Sequence, residues 1–172
     1  KGKSAVTDSS LLRHVAEFLV DNIGNERSSN GIAGALTSAG SKTTNKTVSS
    51  YVTAFEEAFL FYRAARYDLH GKALLKTNPK EYIVDTGFRT WMAGYRVTDI
   101  GRLFENAVYF QLLYEGWSVH VGKLYDKEVD FVATKDGRVL YVQATDELFA
   151  SETREREIAP LKAIRDNHEK IV

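Results

Sequence analysis

The residues Glu128-Val129-Asp130-Phe131-Val132-Ala133-Thr134, Lys135-Asp136-Gly137-Arg138 and Val139-Leu140-Tyr141-Val142-Gln143-Ala144-Thr145 decide how the rest of the chain is read. Apolar and polar residues alternate on both sides of the Lys135–Arg138 segment, which is the pattern of a hairpin, and Gly137 supplies the positive φ that a tight turn needs. Side chains repeat every second residue along a strand. Glu128 and Asp130 therefore share one face, and Gln143 and Thr145 share one face of the partner strand. A carboxylate facing polar groups on the next strand is a layout that can hold a divalent metal.

Outward from the hairpin, Ser118–Leu124 reads as a preceding strand. Leu103, Phe104, Ala107, Val108, Phe110, Leu112 and Leu113 recur at helical spacing over a helix from Thr98 or Asp99 to Gly116. After the hairpin come a helix from Ser151, its N-cap, to His168, bent at Pro160, and a strand opening at Lys170. Nearer the N-terminus, three helices are expected. The first follows Asp8 or Ser9, the second follows Ser28 or Ser29 and ends near Ala39-Gly40, and the third follows Ser41–Thr44 and carries Val48, Tyr51, Val52, Phe55, Ala58, Phe59 and Leu60. Short extended segments at Arg63–Tyr67, Lys72–Thr77 and Glu81–Asp85 come next, then a short helix over Phe88–Gly94.

Three helices followed by strands match a winged helix-turn-helix, whose third helix enters the major groove. On that reading Lys42, Thr44, Asn45, Lys46, Ser49, Ser50 and Thr53 face solvent with side chains of the types that contact phosphates and base edges. The expected division is a winged-helix domain over 1–96 and a second domain over 97–172, with a hinge near Tyr95–Thr98.

The chain has 172 residues, enough for one ordinary domain or two small ones. It has no cysteine, which excludes disulfides, thiolate zinc sites and cysteine nucleophiles. No run reaches the roughly 18 apolar residues of a membrane span, so a soluble cytoplasmic protein without membrane partners is expected. With no initiating Met and a last strand just beginning at Lys170-Ile171-Val172, the sequence reads as a fragment truncated at its C-terminus. Net charge is zero, yet residues 1–96 hold 13 Lys and Arg against 9 Asp and Glu, a surplus of four that the other half offsets. A mildly basic N-terminal half permits nucleic-acid contact. The four histidines, His14, His70, His120 and His168, lack metal-ligand spacing and read as structural or surface residues. Tyr51, Phe55, Phe59, Phe61, Tyr62 and Tyr67 read as core.

Several stretches resemble domain-of-unknown-function family 4143, the C-terminal region of prokaryotic ATPases of the AAA+ superfamily. These are Lys76–Arg89 with its Tyr82-x-x-Asp85-x-Gly87 strand end, Gly101-Arg102-Leu103-Phe104-Glu105-Asn106, and Thr153-Arg154-x-Arg156-Glu157-x-x-Pro160-Leu161. The α-β-β-β-α-β order of the second half resembles the PD-(D/E)xK nuclease core. The resemblance implies that Glu105 and Asp130 stand where the helix acid and the metal-binding Asp would be. Gln143 takes the place of the second acid and Thr145 that of the lysine. In active nucleases those acids bind Mg²⁺ and the lysine orients the attacking water. A neutral hydroxyl at Thr145 supplies no such charge. Lys123, Lys127, Arg154 or Arg156 are candidates for a migrated cation, and Glu128 for a second carboxylate.

The reading that follows is a non-catalytic module, a winged helix plus a degenerate nuclease-like domain, that binds DNA or a protein partner. The resemblance implies an ATPase domain N-terminal to it in the same polypeptide. ATP belongs to that domain, because no P-loop occurs in this chain. The alternatives are an active nuclease holding Mg²⁺ through Glu105, Asp130 and Gln143, and an interaction or oligomerisation module without a nucleic-acid role.

Overall fold

The computed structural model describes residues 8–145 and 151–172, with all their side chains except those at 77, 151–154 and 156. The architecture is mixed α/β. The described elements run α1 (Ser9–Asp21), α2 (Ser29–Ser38), α3 (Asn45–Glu57), β1 (Phe61–Asp68), β2 (Ala73–Ile83), α4 (Thr86–Ala93), a short 3₁₀ turn (Val97–Asp99), α5 (Ile100–Tyr114), β3 (Ser118–Leu124), β4 (Lys127–Lys135), β5 (Arg138–Val142), α6 (Ser151–Ala163) and β6 (Glu169–Ile171). They form two compact units, one of residues 1–63 and 80–95 and the other of residues 64–79 and 96–172.

In the first unit each helix starts on a side chain that satisfies free backbone N–H groups. The Asp8 carboxylate accepts from Ser10 and Leu11, the Ser28 hydroxyl from Gly31, and the Thr44 hydroxyl from Thr47. The α2–α3 turn closes with the Ser41 N–H donating to Leu36 O at 2.8 Å and the Gly40 N–H to Thr37 O at 3.1 Å, which consumes the last carbonyls of α2. His14 Nδ1 lies 2.8 Å from the Ser41 hydroxyl and ties α1 to that turn. The core gathers Val15, Leu19, Ile32, Val48, Tyr51 and Tyr82, each nearly inaccessible to solvent. The third helix stops at Glu57, earlier than its apolar residues suggest. Phe59 adopts φ +57 beyond it and is exposed. The extended segments expected separately at Lys72 and Glu81 are one strand, β2.

In the second unit the sheet order is β2-β1-β3-β4-β5-β6, with β1–β3 and β5–β6 parallel and β3–β4 and β4–β5 antiparallel. The β4–β5 turn places Asp136 at φ 48 and Gly137 at φ 77, the conformation the hairpin requires. β5 ends at Val142, so Gln143 and Thr145 lie just past the strand. The last helix ends at Ala163 instead of His168. The Ser151 cap falls outside the described side chains.

Strict alternation also fails inside β4. His120 pairs with Val132 and Gly122 with Val129, so Asp130 and Phe131 together oppose the single residue Val121. This β-bulge adds one residue to β4. As a result Val129 and Val132, three apart, both pack with Leu161 and Ile164 of α6, while Phe131 meets Tyr109 of α5 at 5.8 Å between ring centroids. The side chains of β4 thus meet α6 in one direction and α5 in the other. A run of five buried residues, Val129–Ala133, is what a strand covered on both faces shows.

Gly122 permits the bulge. A Cβ there would lie 2.8 Å from Val132 Cγ2 and 2.9 Å from Val129 Cβ. Gly122→Ala is expected to destabilise the chain by about 1–3 kcal/mol, as overpacking does, measured by urea unfolding. An unchanged midpoint would mean that the bulge tolerates a methyl group.

Candidate functional site

The Asp130 neighbourhood is built by the bulge and by the chain leaving β5. Asp130 is 8% exposed and Gln143 7%. Asp130 Oδ2 accepts the Ala144 N–H at 2.8 Å, and the Asp130 N–H donates to Gln143 Oε1 at 3.4 Å. Gln143 Nε2 donates to Glu157 Oε2 of α6 at 3.3 Å, and the Gln143 N–H donates to Ile171 O of β6 at 2.9 Å. Asp130 and Gln143 are therefore brought together as a hydrogen-bonded junction of β4, β5, α6 and β6. Thr145 follows, half-buried. Glu105 is half-buried on α5, next to the fully buried Asn106 and one turn before Tyr109, the residue that meets Phe131.

The donor chemistry of this junction differs from that of a metal cradle. Asp130 Oδ2 and both polar atoms of the Gln143 amide already serve protein hydrogen bonds. Among the described residues no group of three or more His, Cys, Asp or Glu is arranged to hold a metal ion.

Arg66, which the sequence reading missed, lies on β1 and is 6% exposed. Its Nη2 stands 3.6 Å from Glu128 Oε2. Glu128, expected as a spare carboxylate, is thus ion-paired. Of the other cations considered, Lys123 faces Glu128 in register, Lys127 is exposed, and the side chains of Arg154 and Arg156 lie outside the described residues. Nothing in the spacing from Arg66 to Glu128 announces the pair, because the parallel pairing of β1 with β3 creates it.

The residues expected to meet nucleic acid lie in the first unit. Lys42, Thr44, Asn45, Lys46 and Ser49 are exposed and Ser50 half-buried. Asn45, Lys46, Ser49 and Ser50 line, with Ser29 of α2, a shallow concavity of about 410 Å³ that no acidic side chain lines. On the opposite side of α3, Val48, Tyr51 and Phe55 are buried.

The same unit holds a buried acid pair. Burial, with the Glu56 carboxylate beside it, raises the Glu81 carboxyl to about 8; burial also raises Glu56, and Arg63 partly opposes both shifts.

Residues 3–99, more than half of the chain, match the family described as "Domain of unknown function (DUF8612)", and the chain belongs to that family. The match includes Lys76–Arg89, on which the likeness to family 4143 leaned, and it overturns that assignment together with the neighbouring ATPase domain and ATP that the likeness implied. The chain is 42% identical over 170 residues, 99% of its length, to an uncharacterized protein of Haemophilus influenzae. It spans 42% of that relative's length. No solved structure matches it. Among the described residues no helix is long and apolar enough to cross a membrane.

Two outcomes follow from these environments. Asp130→Ala strands the Ala144 N–H and should cost roughly 1–3 kcal/mol in urea unfolding; a loss of nothing would mean the junction contributes no stability. Glu81 is raised from its ordinary 4.5 to about 8, so its contribution to stability is fully present below 4.5 and is lost as pH rises through about 8. Glu81→Gln should therefore flatten the fall in stability across that window in urea melts at stepped pH. An unchanged pH profile would contradict the buried protonated acid.

Proposed function

We propose that this chain is a non-catalytic DNA-binding module, in which a winged helix presents α3 to the major groove and a degenerate nuclease-like domain serves as scaffold. The observation that carries the reading is the concavity formed by Ser29, Asn45, Lys46, Ser49 and Ser50. It offers hydroxyl, amide and ammonium groups on the solvent face of a helix anchored by Val48, Tyr51 and Phe55. These groups donate to phosphate oxygens and to base edges. Exposed Lys42, just before α3, extends the cationic edge. The chain order of three helices followed by β1 and β2 is that of a winged helix.

The α-β-β-β-α-β order of α5 to β6 supports the nuclease-like part of the reading. The engagement of Asp130 and Gln143 in protein hydrogen bonds favours a scaffold over a catalytic centre.

The test is fluorescence anisotropy of labelled duplex DNA over a salt series. Binding in the range of about 10⁻⁴–10⁻⁶ M is expected, weakening steadily with salt. Replacing Lys42 and Lys46 by Ala should lower affinity and reduce the salt slope by roughly one for each lysine that contacts a phosphate. Binding that is undetectable at low salt, or indifferent to both lysines, would sink the reading. Cleavage of supercoiled DNA in Mg²⁺ or Mn²⁺ that Asp130→Ala abolishes would replace it with a nuclease.

A further inference from the structure

Three of the four histidines meet at one place in the second unit. A cavity of about 930 Å³ opens on the sheet face that carries α6, and His70, His120 and His168 all line it. Each is paired with a tyrosine that lines the same cavity. His120 lies 6.2 Å from Tyr67, His70 5.1 Å from Tyr125 and His168 6.2 Å from Tyr141, between ring centroids. The volume is that of a small-molecule site. Leu124, Val132 and Val139 supply an apolar floor.

The charge at the rim has one sign. Lys72, Lys162 and Arg165 line the cavity and are exposed, whereas Asp166 is the single acid among its lining residues. That acid is already engaged: its Oδ2 accepts from the Tyr141 hydroxyl at 2.7 Å, and its Oδ1 accepts the His168 N–H at 3.1 Å with Lys170 Nζ at 3.5 Å. The charge left to a ligand is positive.

One residue is placed there at a conformational cost. Tyr125, in the β3–β4 turn, adopts φ +57, a region that a bulky aromatic residue rarely occupies and that Gly or Asn would fill with less strain. Its hydroxyl lies 3.0 Å from His70 Nδ1, and the residue is 66% exposed. A ring braced on one side by a histidine, with surface left open, is a stacking platform.

We propose that this cavity binds a nucleotide unit, with the base stacked on Tyr125 above the apolar floor and the phosphate held by Lys162, Arg165 and Lys72. Paired flat rings take any base by stacking, and the cations at the rim take the phosphate. The nucleotide is either a free one or part of a single strand, and the two sources are separable by experiment.

The experiment is isothermal titration calorimetry on the chain with AMP, with adenosine and orthophosphate as half-ligands, and with a short oligodeoxythymidylate. AMP should bind at least about tenfold more tightly than either half-ligand. Replacing Lys162 and Arg165 by Ala should weaken AMP about tenfold or more. Tyr125→Asn, which suits the left-handed turn and should keep or raise thermal stability, should weaken it by a similar factor. An oligonucleotide tighter than AMP assigns the site to a strand, and one equal to or weaker than AMP assigns it to the free nucleotide; either outcome upholds the proposal. No heat from AMP or oligonucleotide at about 1 mM overturns it, as does AMP binding unchanged in both variants. Lys46→Ala should leave AMP affinity unaltered; a loss there would move the nucleotide to α3 and overturn the assignment to this cavity.

Discussion

The close approach of Gly122 to Val129 and Val132 is the constraint on which the second unit depends. Because the position carries no Cβ, β4 can take one residue more than β3 between His120 and Gly122. That extra residue decides what each side chain of β4 meets. Val129 and Val132 reach α6 together, and Phe131 reaches Tyr109 on α5. Without it, strict alternation would send Val129 and Val132 to opposite faces, and one of the two helices would lose an apolar contact.

The first unit rests on a different economy, the satisfaction of helix ends. Asp8, Ser28 and Thr44 cap three successive helices, and the Leu36 and Thr37 carbonyls are taken up by the turn that follows α2. With its ends satisfied and Val48, Tyr51 and Phe55 in the core, α3 has its polar face left over for solvent or a ligand. Glu56 and Glu81 work against this order, because two buried carboxyls cannot both ionise cheaply and Arg63, 4.0 Å from Glu56, only partly compensates them.

Much of this was legible in the sequence wherever the information is local. The caps at Asp8, Ser28 and Thr44, the Asp136-Gly137 turn and the order from α5 to β6 all follow from neighbouring residues and hydrophobic period. What could not be read depends on pairing across the chain. The bulge at Asp130-Phe131 exists only relative to β3, and alternation counted along β4 alone gives no sign of it. The end of β5 at Val142 was missed because Gln143-Ala144-Thr145 continues the alternating pattern. There Ala144 gives its N–H to the Asp130 carboxylate instead of to a strand neighbour. Family likeness misled for a related reason: short motifs such as Tyr82-x-x-Asp85-x-Gly87 encode a strand end and a helix cap, and that local geometry is not the property of one family.

The histidines show the same limit. Spacing along the chain gave His70, His120 and His168 no relation to one another. The sheet order sets the β1–β2 turn, β3 and the segment after α6 along one face, and there each histidine finds a tyrosine. Meanwhile Asp130, the residue that first drew attention, spends its carboxylate on the backbone that leaves β5. The acid nearest in kind to a catalytic group is thus used to fix the sheet's edge connection. The groups with open surface and unmatched charge, Tyr125, Lys72, Lys162 and Arg165, stand around the cavity instead. A ligand gains most where desolvation is already partly met by an apolar floor and where cations have no carboxylate to satisfy. By that criterion the tyrosine–histidine cavity is a better recognition site than the acidic hairpin.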